Sequence, residues 1–249
     1  MTGINIYNIY MIRLIIKRNL ENKNKNMVIL PLKIYNSTNL IMKSLIEEYN
    51  NNINEYKGLH RNINKSIVGR VCHNRVVILN IICKLYDIKN YLEIGVHNGA
   101  SMSYVVSENK SKNCIGIDLF EDCTGHYVKD SITKQKSFDN ISKNNINSTI
   151  KLIQGNSTSK ETINKLKEEL KDNKIDLLFI DGDHSYNGVK NDFLNYYSFV
   201  NNNGLIVLDD YCNKYPGIIK FVDESINNNN NFQILGIFDN NELIIRKIN

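Results

Sequence analysis

Two acidic stretches carry the densest chemistry in the chain. Ile175-Asp176-Leu177-Leu178-Phe179-Ile180 runs into Asp181-Gly182-Asp183-His184-Ser185-Tyr186, and Leu205-Ile206-Val207-Leu208 runs into Asp209-Asp210-Tyr211. If the two apolar runs are neighbouring strands, three or four carboxylates converge on one edge of a cleft. Carboxylates that close repel unless a cation or protons lie between them, and oxygen ligands suit Mg²⁺, Ca²⁺ or Mn²⁺ better than zinc. Helix capping by Asp183 or Asp210 is the alternative, but it leaves unexplained why both runs end in Asp. His184 follows Asp181 closely, and an imidazole with a pKa near 6.5 can exchange a proton at neutral pH. A structural histidine or an extra metal ligand is the competing reading.

Three earlier run ends carry further candidates. Glu93-Ile94-Gly95-Val96-His97-Asn98-Gly99-Ala100-Ser101 places two glycines between an apolar run and a helical pattern. Glycines allow a tight turn and close approach of a ligand, and the helix that follows offers free N–H groups to an anion. A carboxylate at Glu93 suits a ligand bearing an ammonium or sulfonium better than a phosphate. Asp118, closing the next run, is placed to accept from the two hydroxyls of a ribose, or it is a loop aspartate. Asn156, in Gly155-Asn156-Ser157, can face an adenine edge or cap the next helix with Ser157 or Ser159.

The elements that must position these residues are regular from residue 90 onward. Short apolar runs at 91–95, 114–118, 150–153, 175–181 and 204–209 alternate with helical spacing at 101–108, 159–170, 186–200 and 216–226. That alternation predicts a parallel sheet with helices on both faces. Residues 232–238 and 242–248 flank Asp239-Asn240-Asn241, a hairpin signature that makes the last strand antiparallel. The expected fold is α/β: a doubly wound, Rossmann-like, mostly parallel sheet with a C-terminal antiparallel hairpin. Ligands on such a sheet bind beyond the carboxyl ends of the strands. Residues 1–60 are predicted to be a mainly helical N-terminal extension, and 61–249 the main domain. Residues 1–20 read as a strand or short helix, and Met27 is an alternative start. Asn36-Ser37-Thr38 offers caps for a helix reaching about Tyr56, and 71–85 reads as a helix against the sheet.

Composition sets the outer bounds. The chain has 249 residues, 42% of them hydrophobic, enough for a real core and too varied for collagen or a coiled coil. No apolar stretch is long enough to span a bilayer, and residues 4–16, interrupted by Arg13, lack the features of a secretory leader. About a sixth of the residues are Asn, in keeping with A/T-rich codons and relaxed surface loops. Cysteines 72, 83, 114, 123 and 212 form no C-x-x-C pair, so neither zinc nor a disulfide framework is expected. A soluble, cytoplasmic protein with reduced thiols is predicted. The net charge of +5 divides into about +9 before residue 90 and about −4 after it. Without a dense Lys/Arg stripe or aromatic platform, a solvated basic face is favoured over a nucleic-acid partner.

The strand-end motifs, in this order, resemble the class I S-adenosylmethionine-dependent methyltransferases, and within them the metal-dependent O-methyltransferases of the macrolide-sugar and catechol type, a group that includes cephalosporin-hydroxylase-like proteins. The resemblance spans about residues 66–248. I-D-G-D-H-S-Y at 180–186 and G-L-I-V-L-D-D-Y at 204–211 are its specific parts. It implies S-adenosylmethionine (SAM) as cofactor, held at its methionine end by Glu93, Gly95, Gly99 and Ser101, with His97 in the same loop. Asp118 would take the ribose, and Asn156 and Ser157 the adenine. Asp181, Asp209 and Asp210 match the ligand positions for Mg²⁺ or another divalent cation. His184, beside Asp181, matches the base of the sugar-modifying relatives. Asn156 stands where relatives often carry Asp, and Asp209-Asp210 in place of Asp-Asn points to the sugar-type branch. The implied acceptor is a sugar or another small hydroxylated molecule, and relatives of this kind assemble homo-oligomers through N-terminal segments. His126 would then be a lid residue over the acceptor or an exposed loop histidine. Competing readings are a nicotinamide-dependent dehydrogenase, which the absence of G-x-G-x-x-G opposes, a nucleic-acid methyltransferase, and a catalytically silent partner protein.

Overall fold

Beta propensity and near-continuous apolar runs build the sheet, and alternation of side chains across it feeds two cores. The computed structural model describes residues 39–68, 73–108, 110–121, 133–145 and 147–249. The expected element in residues 1–20, the capping run 36–38, Cys72, Cys123 and His126 lie outside the described residues.

The chain enters through α1 (Leu40–Asn51) and α2 (Ile53–Ser66). Asn39 caps α1 by accepting from the Ile41 N–H. A single helix to Tyr56 was the expectation. Instead the chain breaks at Asn52, whose side chain donates to the Glu48 carbonyl and carboxylate, and helix resumes across residue 60. A 3₁₀ turn at Asn74–Val76 opens α3 (Val77–Leu85), which is buried almost all round.

The alternating part follows as β1 (Asn90–Ile94), α4 (Ala100–Val106), β2 (Asn113–Asp118), α5 (Lys134–Ser142), β3 (Thr149–Gln154), α6 (Lys160–Leu170), β4 (Ile175–Ile180), α7 (Tyr186–Tyr196), β5 (Val200–Leu208), α8 (Pro216–Ser225), β6 (Phe232–Phe238) and β7 (Glu242–Lys247). Helix starts are set by local chemistry: Ser159 and Ser185 hydroxyls accept from backbone N–H groups of α6 and α7, and Pro216 opens α8. The strand order is β3-β2-β1-β4-β5-β7-β6. Neighbours from β3 to β5 run parallel, and β7 is antiparallel to both β5 and β6. This is the doubly wound, mostly parallel sheet with a C-terminal antiparallel hairpin expected from the sequence.

Within β4, Leu177 and Phe179 face the core shared with α1 to α5, while Leu178 and Ile180 face the core shared with α6 to α8. One helix, α5, had no forecast. Its buried face is Ser137, Asn140 and Ile141, so no apolar period announces it. Strand β5 begins at Val200, not Gly204, because the β4 pairing shifts register between Ile175 and Leu177 to admit the Asn201–Asn203 stretch.

Candidate functional site

Backbone hydrogen bonds align the carboxyl ends of the central strands. The Gly95 N–H donates to the Ile117 carbonyl at 2.9 Å, the Asp181 N–H to Ile94 at 2.8 Å, and the Asp209 N–H to Ile180 at 3.1 Å. Gly95 is thereby fixed to the penultimate residue of β2, and Asp181 and Asp209 to the last residues of β1 and β4. Gly95 could not be replaced here: its φ is +90°, and a Cβ would fall 2.0 Å from the Asp181 carbonyl oxygen.

At this edge Asp181, His184 and Asp210 come together, each offering one ligand atom within 4.8 Å of the others. His184 Nε2 lies 3.2 Å from Asp181 Oδ1 and 3.5 Å from Asp210 Oδ2. Its ring packs on Tyr215 with centroids 4.5 Å apart, which fixes the ring's orientation. Side-chain exposures of 30% for His184, 31% for Asp181 and 14% for Asp210 leave the group reachable from solvent. Burial and the charge of Asp209 push the Asp181 carboxyl up, and its hydrogen bond to His184 opposes them. The same hydrogen bond holds the imidazole above its ordinary value.

Asp209, the third ligand expected from sequence, belongs to a different set of contacts. Its Oδ1 accepts from the Asp210 N–H at 2.7 Å, Asn241 Nδ2 at 3.2 Å and Arg75 Nε at 3.4 Å. Arg75 also reaches Asp210 Oδ1 through Nη2 at 2.9 Å and Glu242 Oε1 through Nε at 2.7 Å. Glu242 is fully buried, and burial, with the charge of Asp209 added, drives its carboxyl up to about 10 against the pull of Arg75. Sequence reasoning missed Arg75, Asn241 and Glu242. Arg75 stands 135 residues from Asp210, and no local spacing connects them.

The glycine loop lies on the β1 side of the edge. Glu93 is wholly buried and accepts from the Tyr91 hydroxyl at 2.7 Å and from the Ser101 hydroxyl, tying β1 to the first turn of α4 beneath the loop. Burial pushes its carboxyl up to about 8. Asp118 accepts the His97 N–H at 2.8 Å and the Phe120 N–H at 2.7 Å, so it joins the β1 and β2 ends. Gly99 has φ +82°, and a Cβ there would strike Ile141 of α5 at 2.5 Å. Asn156 Oδ1 accepts from the Thr158 N–H and hydroxyl, both at 2.8 Å, in the turn ahead of α6, whose cap is Ser159. The Ser157 hydroxyl donates to Asp192 of α7 at 2.6 Å. Non-glycine residues with left-handed backbone recur along this edge: His97, Phe120 and Asp210, with φ of 49°, 51° and 56°. Such strain concentrates where surrounding structure must hold a site.

Comparisons with known proteins agree with this architecture. Residues 92–211 match the family model described as a methyltransferase domain. Uncharacterized protein R132 of Acanthamoeba polyphaga mimivirus is 36% identical over 156 residues, covering 60% of this chain and 64% of that protein. The chain thus spans a little under two thirds of that relative's length. Among solved structures, the O-methyltransferase from Bacillus cereus in complex with SAH is similar at 15% identity and TM-score 0.54, over 80% of this chain and 91% of that one. TomG from Streptomyces achromogenes, an O-methyltransferase of tomaymycin synthesis in complex with SAM, gives 10% identity and TM-score 0.54 over 77% and 90%. CalS11, the TDP-rhamnose 3′-O-methyltransferase of calicheamicin biosynthesis, gives 14% and 0.52 over 69% and 77%. At such identities the structural likeness is one of fold. The family match covers residues 92–211, just under half of the chain, and there the chain is similar to a methyltransferase domain on a Rossmann-like fold.

Proposed function

We propose that the protein transfers a methyl group from SAM to a hydroxyl of a small acceptor, a sugar or a molecule of similar polarity, with a divalent cation such as Mg²⁺ beside the acceptor. The observation that carries this reading is a charge imbalance at a point open to solvent. Among the described residues, Asp181, Asp209, Asp210 and Glu242 share one corner, where Arg75 and His184 are the cationic groups in ion-pair contact with them. With all four carboxylates ionised and His184 protonated, these ion-paired groups keep two negative charges, which one divalent cation balances. Without a cation the balance falls on protons, consistent with the upward shifts at Glu242 and Asp181.

The carboxylate oxygens of Asp181 and Asp210 suit Mg²⁺ or Mn²⁺, and an imidazole nitrogen beside them shifts the preference from Mg²⁺ toward Mn²⁺. Bound there, the cation would supply Lewis acidity that lowers the pKa of an acceptor hydroxyl. Because Nε2 faces both carboxylates, His184 is better suited as third donor than as the base expected from the sequence. The glycine loop at 95–99, buttressed from below by Glu93 and Ser101, would hold the methionine end of SAM, with His97 fixed to Asp118. Asp118 keeps lone pairs for a ribose beyond its two backbone donors. Asn156 and Ser157 would border the adenine. Holding donor and acceptor in line contributes about 7–11 kcal/mol in well-oriented systems. Free thiols at Cys83, Cys114 and Cys212 suit a reducing, cytoplasmic setting.

Calorimetric titration of the purified chain with SAH, followed by labelled-methyl transfer from SAM to a panel of sugars and phenols, tests the proposal. SAH binding and transfer abolished by EDTA and restored by Mg²⁺ are expected. Absence of SAH binding sinks the cofactor assignment, and EDTA-insensitive transfer sinks the cation. His184→Gln is expected to weaken Mn²⁺ binding; normal affinity with lost transfer would return His184 to the base role.

A further inference from the structure

The two oxygens of Asp210 have separate employment. Oδ1 accepts from Arg75 Nη2 and from Asn241 Nδ2, each at 2.9 Å, while Oδ2 faces His184 Nε2 at 3.5 Å. A carboxylate gripped on one oxygen by two donors cannot rotate freely about its Cβ–Cγ bond, so the other oxygen has a fixed aim. The backbone is held as well. Asp210 sits at φ +56°, the Cys212 N–H donates to its carbonyl at 2.7 Å, and the next residue, Tyr211, donates its N–H to the Asn241 carbonyl at 2.8 Å. Asn241 therefore grips this segment with side chain and main chain together. The three components come from separate parts of the chain: a 3₁₀ turn before α3, the end of β5, and the β6–β7 turn.

We infer that Arg75 and Asn241 are positioning residues for the cation: they fix Asp210 so that Oδ2, with Asp181 Oδ1 and His184 Nε2, presents a preformed donor set. The inference rests on the cation reading above. Donors behind a ligating carboxylate orient it, and losing one costs affinity about 10- to 100-fold in characterised sites. Arg75 plays this part with a planar fork that also takes Glu242 and Asp209 through Nε. Lysine would keep the charge but lose that geometry. Arg75 thereby neutralises part of the surrounding negative charge without itself standing between Asp181 and Asp210.

The test is Mn²⁺ titration of the full chain, followed by electron paramagnetic resonance, for wild type, Asn241→Ala and Arg75→Lys, with SAH affinity and circular dichroism as controls on folding. Expected are Mn²⁺ affinities reduced about 10- to 100-fold in Asn241→Ala, and clearly reduced in Arg75→Lys. The bound-Mn²⁺ spectrum should broaden as the site loses definition, while SAH affinity stays within about threefold. Unchanged or tighter Mn²⁺ binding in folded Asn241→Ala overturns the positioning role and leaves the cation site standing. Failure of the wild type to bind Mn²⁺ overturns the cation reading and this inference with it. If Arg75→Lys does not fold, Asn241→Ala, on a surface turn, decides alone.

Discussion

Glu93 has no solvent contact, yet it is a carboxyl whose folded pKa is pushed up to about 8 from an ordinary 4.5, chiefly by burial. An acid with a raised folded pKa stabilises the fold fully below its unfolded value, and that contribution disappears as pH climbs toward the folded value. The window here is about pH 4.5 to 8, and the loss across it is at most about 5 kcal/mol. Glu93→Gln keeps the volume while removing the ionisation, at about 1 kcal/mol for a weakened hydrogen bond to Tyr91 or Ser101. Scanning calorimetry at pH 5.5 and pH 8.5 is expected to show Tm falling several degrees further in wild type than in the variant. Parallel declines would assign the pH dependence to other groups. Asp192, raised to about 6, and Glu242 act with the same sign but are common to both proteins. At this scale, Asp181, His184 and Asp210 were legible because each closes or follows an apolar run. Arg75 and Asn241 were not, since their contacts with Asp210 run across 135 and 31 residues that no periodicity encodes. The contact of Asp209 with Arg75 was hidden for the same reason.

Among the elements, the β1–α4 loop carries the heaviest geometric demand. Gly95 must adopt φ +90° while its Cα passes so close to the Asp181 backbone that a Cβ has no room. Gly95→Ala therefore costs more than the ~1–2 kcal/mol of left-handed backbone strain alone, and the clash pushes the β4 end away from β1. Because that end carries Asp181, one substitution should lower SAH affinity and Mn²⁺ affinity together. Gly58→Ala is the matched control. It lies in α2 with nothing within 4 Å of its added methyl, so it should stabilise by up to about 1 kcal/mol and leave both affinities alone. Urea midpoints and two titrations check the pair, and retention of both affinities in Gly95→Ala would refute the coupling of the loop to β4. The strands and their order were readable because each central strand is a near-continuous apolar run bounded by Gly, Asp or Asn. Helix α5 was not readable. It is held by polar bonds, Asn140 Nδ2 to the Val68 and Asn98 carbonyls and the Ser137 hydroxyl to the His97 carbonyl, which leave no apolar signature.

For the molecule as a whole, the question is whether α1 and α2 are an appendage or part of the domain's own core. Leu45 and Tyr56 are buried in the same cluster as Phe179 and Val207 of the central sheet. Met42 packs so closely on β6 that a Cβ on Gly236 would meet its side chain at 2.9 Å, and the Tyr49 ring meets Phe238 edge-on at 5.3 Å. Glu48 binds Lys84 of α3 at 2.8 Å. The helices thus cover one face of the sheet near its β6 edge. Leu45→Ala opens a cavity worth about 2–5 kcal/mol. If one core unites the chain, that loss lowers the urea midpoint of the entire fold, and SAH binding is lost at the same reduced midpoint as the circular dichroism signal. An appendage predicts otherwise: the dichroism curve would split, with SAH binding lost at the wild-type midpoint. Tyrosine fluorescence supplies a third probe, since the chain has 14 tyrosines and no tryptophan and Tyr56 and Tyr104 lie on the two sides of this contact. Coincidence of all three curves requires that the N-terminal helices and the strand ends that build the site stand or fall together.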